Sequence, residues 1–281
     1  MKIGIMNSAY GADAAHSERY REIAAHGYDC VGIDSFAKPS SPVYTEPEAR
    51  AIALAEAERR AIEDAGLFIE QVHGPWPTDD TTPALREKKV ADIKRAILLT
   101  KALGARYLVY HPDMPYGWER EDDPAFAWVS NLATVGALLP AAERAGVILC
   151  IENMPMKAHA LSTVSRMTEF VETVNHPNLM TCFDTGHAAV FRHDAGECVR
   201  RIGAKLACLH CHDNDGTRDQ HRLPYEGIVD WKGFSEALRE IGYAGAVTLE
   251  CAVNRDLPEP ARTTARIALA QTAAAIAGKT L

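Results

Sequence analysis

The stretch CLHCHDNDGTRDQH (residues 208–221) crowds histidine, cysteine and aspartate into one short segment. Imidazoles and carboxylates side by side suit two kinds of chemistry, the holding of a divalent metal ion and the movement of protons. His210 and His212 stand two apart, the spacing that puts both on one face of a β-strand. Cys208 and Cys211 stand three apart, so on a strand they point to opposite faces. A redox CxxC pair opens a helix, whose terminus lowers the thiol pKa. This segment therefore reads as a strand end that lends one or two imidazoles to a larger site.

The elements that would position such a site recur along the whole chain. Short β-branched or apolar runs occur at KIGIM (2–6), YDCVGI (28–33), LFIEQV (67–72), RYLVY (106–110), GVILCI (146–151), NLMTCF (178–183), AKLACL (204–209) and GAVTLE (245–250). Between them lie segments of helical spacing, such as 46–66 and 86–105, and Gly66, Gly104, Gly146 and Gly242 are placed to end helices. Apolar strands alternating with helices imply a parallel sheet covered on its outer face. Eight such units predict an α/β fold, a (β/α)8 TIM barrel forming a single domain over residues 1–281. The competing doubly wound sheet would carry a glycine-rich phosphate loop after the first strand, and GIMNSAYGAD is not one.

All strand C-termini of such a barrel open on one face. The residues at those ends are Asp34, His73, His111, Glu152, Asp184, His210 with His212, and Glu250. One such residue is ordinarily a helix cap or a satisfied histidine; seven strands of eight ending this way is not explained by capping. Glu152, Asp184, His210 or His212, and Glu250 form the tightest subset. Their oxygen and nitrogen donors suit one divalent metal, Mn2+, Mg2+, Co2+ or Zn2+, with positions left open for substrate oxygens. Glu152 and Glu250, on the fifth and eighth strands, would then be an opposed acid/base pair. Such a pair can abstract a proton next to a carbonyl through an enediolate whose charge the metal offsets.

These residues resemble the xylose isomerase-like barrels, a group that includes ketose 3-epimerases, hydroxypyruvate isomerase and the apurinic-endonuclease branch. The resemblance spans essentially the whole chain and is carried by DTGH (184–187), HCH (210–212), Arg218 and Glu250. It implies a sugar or sugar-phosphate isomerase or epimerase with one metal on Glu152, Asp184, a seventh-strand histidine and Glu250. Glu152 and Glu250 would be catalytic, and His187 and Arg218 would bind substrate oxygens. A ligand six residues before the arginine selects His212, whereas other branches select His210, and both stand. The same site would serve a lyase or dehydratase, including β-elimination from a keto sugar. The endonuclease branch implies instead three zinc ions on His73, His111, Glu152, Asp184, His187, a seventh-strand histidine, Asp219, His221 and Glu250. Where that branch has His-x-Asn-Asp, this chain reads HCHD. Relatives of this kind are homodimers or homotetramers, which is the expectation here.

Bulk composition narrows the partners. The chain has 281 residues, 24% of them charged, with net charge −8. This argues against a polyanion binder, because neutralising many phosphates needs a basic surface. The loops after the first two strands carry little positive charge, so nucleic acid is not the expected partner. Seven scattered cysteines, mostly in apolar runs, make no disulfide framework. The first apolar run is too short for a signal peptide and no stretch is expected to span a bilayer, so the expected location is cytoplasmic. Trp76, Tyr116, Trp118 and Tyr225 fall in loops on the active face. Of these Trp118 is the candidate substrate contact, together with His73 and His111, and residues 113–126 would form a lid. Asp230 is placed to cap a helix that Trp231 staples to the barrel.

Overall fold

A strand buried on both faces needs apolar residues without alternation, and the runs named above supply them. In the computed structural model, which describes residues 1–11, 16–77, 80–121 and 123–279, they form eight parallel strands. These are β1 (Lys2–Met6), β2 (Cys30–Ile33), β3 (Phe68–His73), β4 (Tyr107–Tyr110), β5 (Ile148–Glu152), β6 (Leu179–Asp184), β7 (Leu206–His210) and β8 (Ala246–Leu249). Their order is β7-β6-β5-β4-β3-β2-β1-β8. The remaining seam, between β7 and β8, is closed by Cys211 N–H to Thr248 C=O (2.8 Å) and Glu250 N–H to Cys211 C=O (3.0 Å). The (β/α)8 expectation holds, with strand limits displaced by one or two residues at most ends. Residues 12–15 of the first loop and Asp122 of the expected lid lie outside the described residues.

The helices are α1 (His16–Ala25), α2 (Pro42–Thr45), α3 (Glu48–Asp64), α4 (Pro83–Ala102), α5 (Pro124–Ala145), α6 (Val164–Val174), α7 (Thr185–Val190), α8 (Ala195–Ile202), α9 (Trp231–Glu240) and α10 (Ala261–Ala277). The four expected capping glycines all have left-handed φ, from +69° at Gly242 to +81° at Gly66. Asp230 accepts hydrogen bonds from Lys232 N–H and Gly233 N–H as the cap of α9, and Trp231 is buried beneath it. Aliphatic side chains fill the layer between strands and helices. Inside the barrel Val109, Cys150, Cys182 and Cys208 form a separate apolar floor below the site. Cys208 faces that interior and Cys211 the outer layer, so the two thiols do diverge; all seven cysteines are free and buried. One expectation is corrected. By length and composition α5 is long and apolar enough to cross a membrane, although it packs here as an outer barrel helix against α4.

Two loops on the active face are held by one buried charge network. Lys89, on α4, donates to Asp80 Oδ2 (2.9 Å) and to Pro112 C=O (3.1 Å), and pairs with Asp113 Oδ1 (3.0 Å). Asp113 also accepts from Ser130 (2.9 Å) and Thr134 (2.6 Å), and Asp80 accepts from Met114 N–H (2.9 Å). The loops carrying Trp76 and Trp118 are thereby tied to α4 and α5. Breaking a buried pair from one side leaves the other charge uncompensated. Lys89→Met is therefore expected to lower stability by about 3–5 kcal/mol in urea denaturation; a loss below about 1 kcal/mol would show that the network is not what holds these loops.

Candidate functional site

The strand ends are laced together by side chains as well as by the ladder. Asn153, just past β5, donates to Asp184 C=O (2.9 Å) and accepts from Asp184 N–H (2.8 Å). Thr185, just past β6, donates to His212 C=O (2.7 Å) and accepts from His212 N–H (3.1 Å). With the Cys211 bonds to β8, these fix the ends of β5, β6, β7 and β8 relative to one another. Asp213 then gathers the loop after β7. It accepts from Asn214 N–H, Tyr225 N–H, Val229 N–H and the Trp231 indole N–H at 2.9–3.1 Å.

On that frame the functional side chains form two adjoining clusters. In the first, His210 Nδ1 lies between the two glutamates, 2.9 Å from Glu152 Oε1 and 3.0 Å from Glu250 Oε2. The other oxygen of Glu152 meets His111 Nε2 at 3.0 Å and His73 Nε2 at 4.0 Å. In the second cluster Asp184 Oδ2 meets His212 Nε2 at 3.0 Å, and its Oδ1 accepts from His187 N–H (2.6 Å). Asp219 Oδ2 lies 3.4 Å from His187 Nε2 and 3.1 Å from His221 Nε2. His187 joins the clusters, its Nδ1 standing 3.6 Å from Glu152 and 3.7 Å from Asp184.

His73, His187 and His221 share one orientation. Each donates Nδ1–H to a backbone carbonyl, of Gly74 (2.8 Å), Asn153 (2.7 Å) and Glu250 (2.6 Å) respectively. That bond fixes the tautomer and leaves Nε2 turned to the carboxylates, the arrangement that prepares an imidazole to ligate a metal. Sets of three potential ligand atoms, each within 4.8 Å of one another, include His73, His210 and Glu250; His73, His111 and Glu152; Glu152, Cys182 and His210; Asp184, His187 and His212; and His212, Asp219 and His221.

Both clusters border a cavity of about 370 Å³. Its wall includes Glu152, Glu250, His187, Asp219 and His221 together with Trp76, Trp118, Met154 and Met156. Trp118 stacks on Trp76 at 5.0 Å between ring centres, and Trp76 meets His111 edge-on at 4.2 Å. A smaller cavity of about 220 Å³, reaching Ser8 and Asp34, shares Glu250 and His221 with the first.

The electrostatics follow from burial and proximity. Burial opposes ionisation of Glu152 and Glu250, yet the His210 imidazole holds both below the usual carboxylate range. Burial likewise opposes a charged His187, but Asp184, Asp219 and Glu152 raise its pKa to about 10. His221 is raised to about 9 against burial by Asp219 and Glu250, and His210 is raised by Glu250 and Glu152. At His111 burial wins, and its pKa falls to about 4 despite Glu152.

The profile of the xylose isomerase-like TIM barrels matches residues 20–272. The chain belongs to that family. It is 25% identical over 258 residues to a D-psicose 3-epimerase of Agrobacterium fabrum, covering 89% of this chain and 84% of that protein. It is 28% identical over 200 residues to a probable endonuclease 4 of Bacillus licheniformis, covering 64% and 62%. The structure of D-psicose 3-epimerase with D-tagatose from Clostridium cellulolyticum H10 superposes with a TM-score of 0.77 over 99% of this chain and 98% of that one, at 20% identity, a likeness of fold.

In this xylose isomerase-like barrel the expected residues fall in distinct places. His210 stands with Glu152 and Glu250, whereas His212 stands with Asp184, so the two histidines share a face but serve different clusters. His73, His111, His187, Asp219, His221 and Trp118 border the site. Arg218 is exposed on the loop after β7 and joins none of these contacts. Tyr116 packs on Phe126 and Tyr225 lies exposed beside Trp231; neither lines the cavity. Asn153, Thr185 and Asp213 were not singled out from sequence, although each directly follows a strand end or a candidate ligand. Gly186, inside DTGH, is a glycine of necessity: an added Cβ would stand 1.9 Å from the His212 ring. Gly186→Ala is expected to cost about 1–3 kcal/mol in urea denaturation as His212 is displaced, while Gly136→Ala, in open space on α5, costs nothing or stabilises. Equal effects of the two substitutions would contradict this packing.

Proposed function

We propose that this chain is a divalent-metal-dependent sugar isomerase or epimerase that moves a proton next to a carbonyl, with Glu152 and Glu250 as its acid/base pair. The observation that carries the reading is the placement of these carboxylates on either side of His210, both at the wall of one cavity. Their strands lie apart in the barrel, so they approach a bound substrate from different directions. The D-psicose 3-epimerase relative, matched along most of both chains, supports a sugar as substrate.

The donor types suit a metal: imidazole nitrogens and carboxylates converge in sets of three whose ligand atoms lie within 4.8 Å of one another, with Glu152, His210 and Glu250 in one cluster and Asp184 in the adjoining one. Glu152, Asp184, His210 and Glu250 would hold it, with His212 beside Asp184, and when bound it would supply Lewis-acid stabilisation of developing negative charge on a carbonyl oxygen. Glu152 or Glu250 takes the proton from carbon, and the other returns one from the opposite side. His187 orients a substrate oxygen, and Trp76 and Trp118 keep water from the enediolate. Among the described residues no lysine or arginine lines this cavity, which favours an unphosphorylated sugar. Elimination of a β-leaving group would use the same two carboxylates. Buried free thiols suit a reducing, cytoplasmic setting.

A second reading, a three-zinc phosphodiesterase, draws on the ligand sets His73–His111–Glu152 and His212–Asp219–His221. The acidic chain, and the lack of lysine or arginine among the described residues lining the cavity, weigh against gripping a polyanion.

Glu152→Gln and Glu250→Gln should each cut solvent-deuterium incorporation into a panel of keto sugars by about 10²-fold or more; exchange retained in both variants sinks the acid/base assignment. Metal analysis separates the two readings, with one ion per chain expected here and three zincs with cleavage at abasic sites expected of the alternative. The raised His210 holds a proton that a metal must displace, so affinity should climb with pH. Competition titrations between pH 6.5 and 8.5 should show about a tenfold gain per pH unit for each proton released, and a flat profile would refute ligation by His210.

A further inference from the structure

Asp34, the residue after β2, borders the smaller cavity of about 220 Å³. Ser8 and Ala252 share its wall with Glu250 and His221, which border the larger cavity as well. The lining is rich in acceptors. Asp34 takes Ser8 N–H on Oδ1 (3.1 Å) and the Ser8 hydroxyl on Oδ2. A carboxylate accommodates about four hydrogen bonds, so both oxygens keep capacity for a partner in the cavity. Glu250 adds a second carboxylate. His221 spends its Nδ1–H on Glu250 C=O and turns Nε2 to Asp219. Among the described residues no lysine or arginine lines this cavity.

The Asp34 carboxylate is braced from below. Asn7, fully buried, accepts Asp34 N–H (3.1 Å) and Ser35 N–H (3.3 Å) on Oδ1. Its Nδ2 donates to the hydroxyls of Tyr20 and Ser35, each at 3.1 Å. Tyr20 donates in turn to Glu58, which pairs with Arg19 at 3.2 Å. The end of β2 is thereby tied to the turn after β1 and, through it, to α1 and α3. Capping that turn accounts for one hydrogen bond to each Asp34 oxygen. It does not account for a carboxylate held against a space several times the ~30 Å³ share of one water.

We propose that this cavity receives the end of the sugar remote from the reacting carbons, and that Asp34 selects a terminus that donates hydrogen bonds, a hydroxyl or an ammonium group, over a phosphate or carboxylate. The selection rests on Glu152 and Glu250 being the acid/base pair of a sugar isomerase or epimerase. Glu250 borders both cavities, so a sugar whose proton it exchanges lies at their junction. A three-carbon ketose has nothing to send beyond that point, whereas the further carbons of a ketohexose extend past Glu250 to Asp34. An anionic terminus would meet two carboxylates with no cation to offset it. A site built to pair a polar group discriminates far more strongly than one that only fills space, because losing the partner leaves its own polar atoms unpaired.

Solvent-deuterium incorporation by the full chain with Mn2+ tests this. The substrates are dihydroxyacetone, a panel of ketohexoses, and the terminal amino-deoxy and phosphate forms of the best ketohexose. In the wild type kcat/KM should be at least about tenfold higher for the best ketohexose than for dihydroxyacetone, and lower again for the phosphate form. Asp34→Asn, which sets a donor where an acceptor stood, should cut the ketohexose-to-dihydroxyacetone ratio by about tenfold. Ala252→Leu, at an exposed position of the wall, should lower the same ratio by filling the space. An amino form that outruns the ketohexose in the wild type and loses its lead in Asp34→Asn assigns the terminus as ammonium; one that does not lead assigns it as hydroxyl. Preference for the phosphate form, or variants that slow all sugars in the same proportion as a purely structural Asp34 would, overturns the proposal while leaving the acid/base pair intact. A wild type that exchanges dihydroxyacetone alone does the same. Exchange of no keto sugar overturns both.

Discussion

Four carboxylates, Glu152, Asp184, Asp219 and Glu250, are brought into the mouth of one barrel, and their mutual repulsion is the constraint on which the surrounding structure depends. Anions this close, two of them fully buried, are tolerated only when each has a positive or donating partner. The chain meets the requirement with imidazoles: His210 between the glutamates, His187 and His212 around Asp184, and His187 with His221 at Asp219. Each imidazole is aimed by a backbone carbonyl, a threonine or its own strand. Imidazole donors thereby offset carboxylate charge that would otherwise destabilise the mouth of the barrel.

Around this centre the neighbouring loops are fixed by buried polar groups rather than by apolar packing. The Asp213 carboxylate gathers four donors from residues 214–231, and the Lys89–Asp80–Asp113 network anchors the two tryptophan-bearing loops. Satisfied networks of this kind admit few alternative arrangements. The stacked Trp76 and Trp118 supply apolar wall to the cavity.

Much of this was legible in the sequence. Strands such as ILCIE and LACLH are buried along their whole length and bounded by turns, so their existence and end residues could be read directly. The separation of His210 from His212 could not. Both share a face, and which carboxylate each meets depends on Asn153 and Thr185 lacing distant strands. The position of Arg218 was hidden for a related reason. The loop around it is shaped by Arg222 and Gln220 reaching back to Asp215, contacts that no periodicity announces.

The seam between β7 and β8 has a consequence for how the molecule assembles. It is made by the two backbone bonds of Cys211, which lies between His210 and His212, with Thr248 and Glu250. The bonds that close the barrel thus also set His210 against Glu250, so ring closure and the completeness of the candidate site rest on the same few residues. Loosening that seam would part Glu250 from His210 while leaving Glu152 beside His210 and Asp184 beside His212.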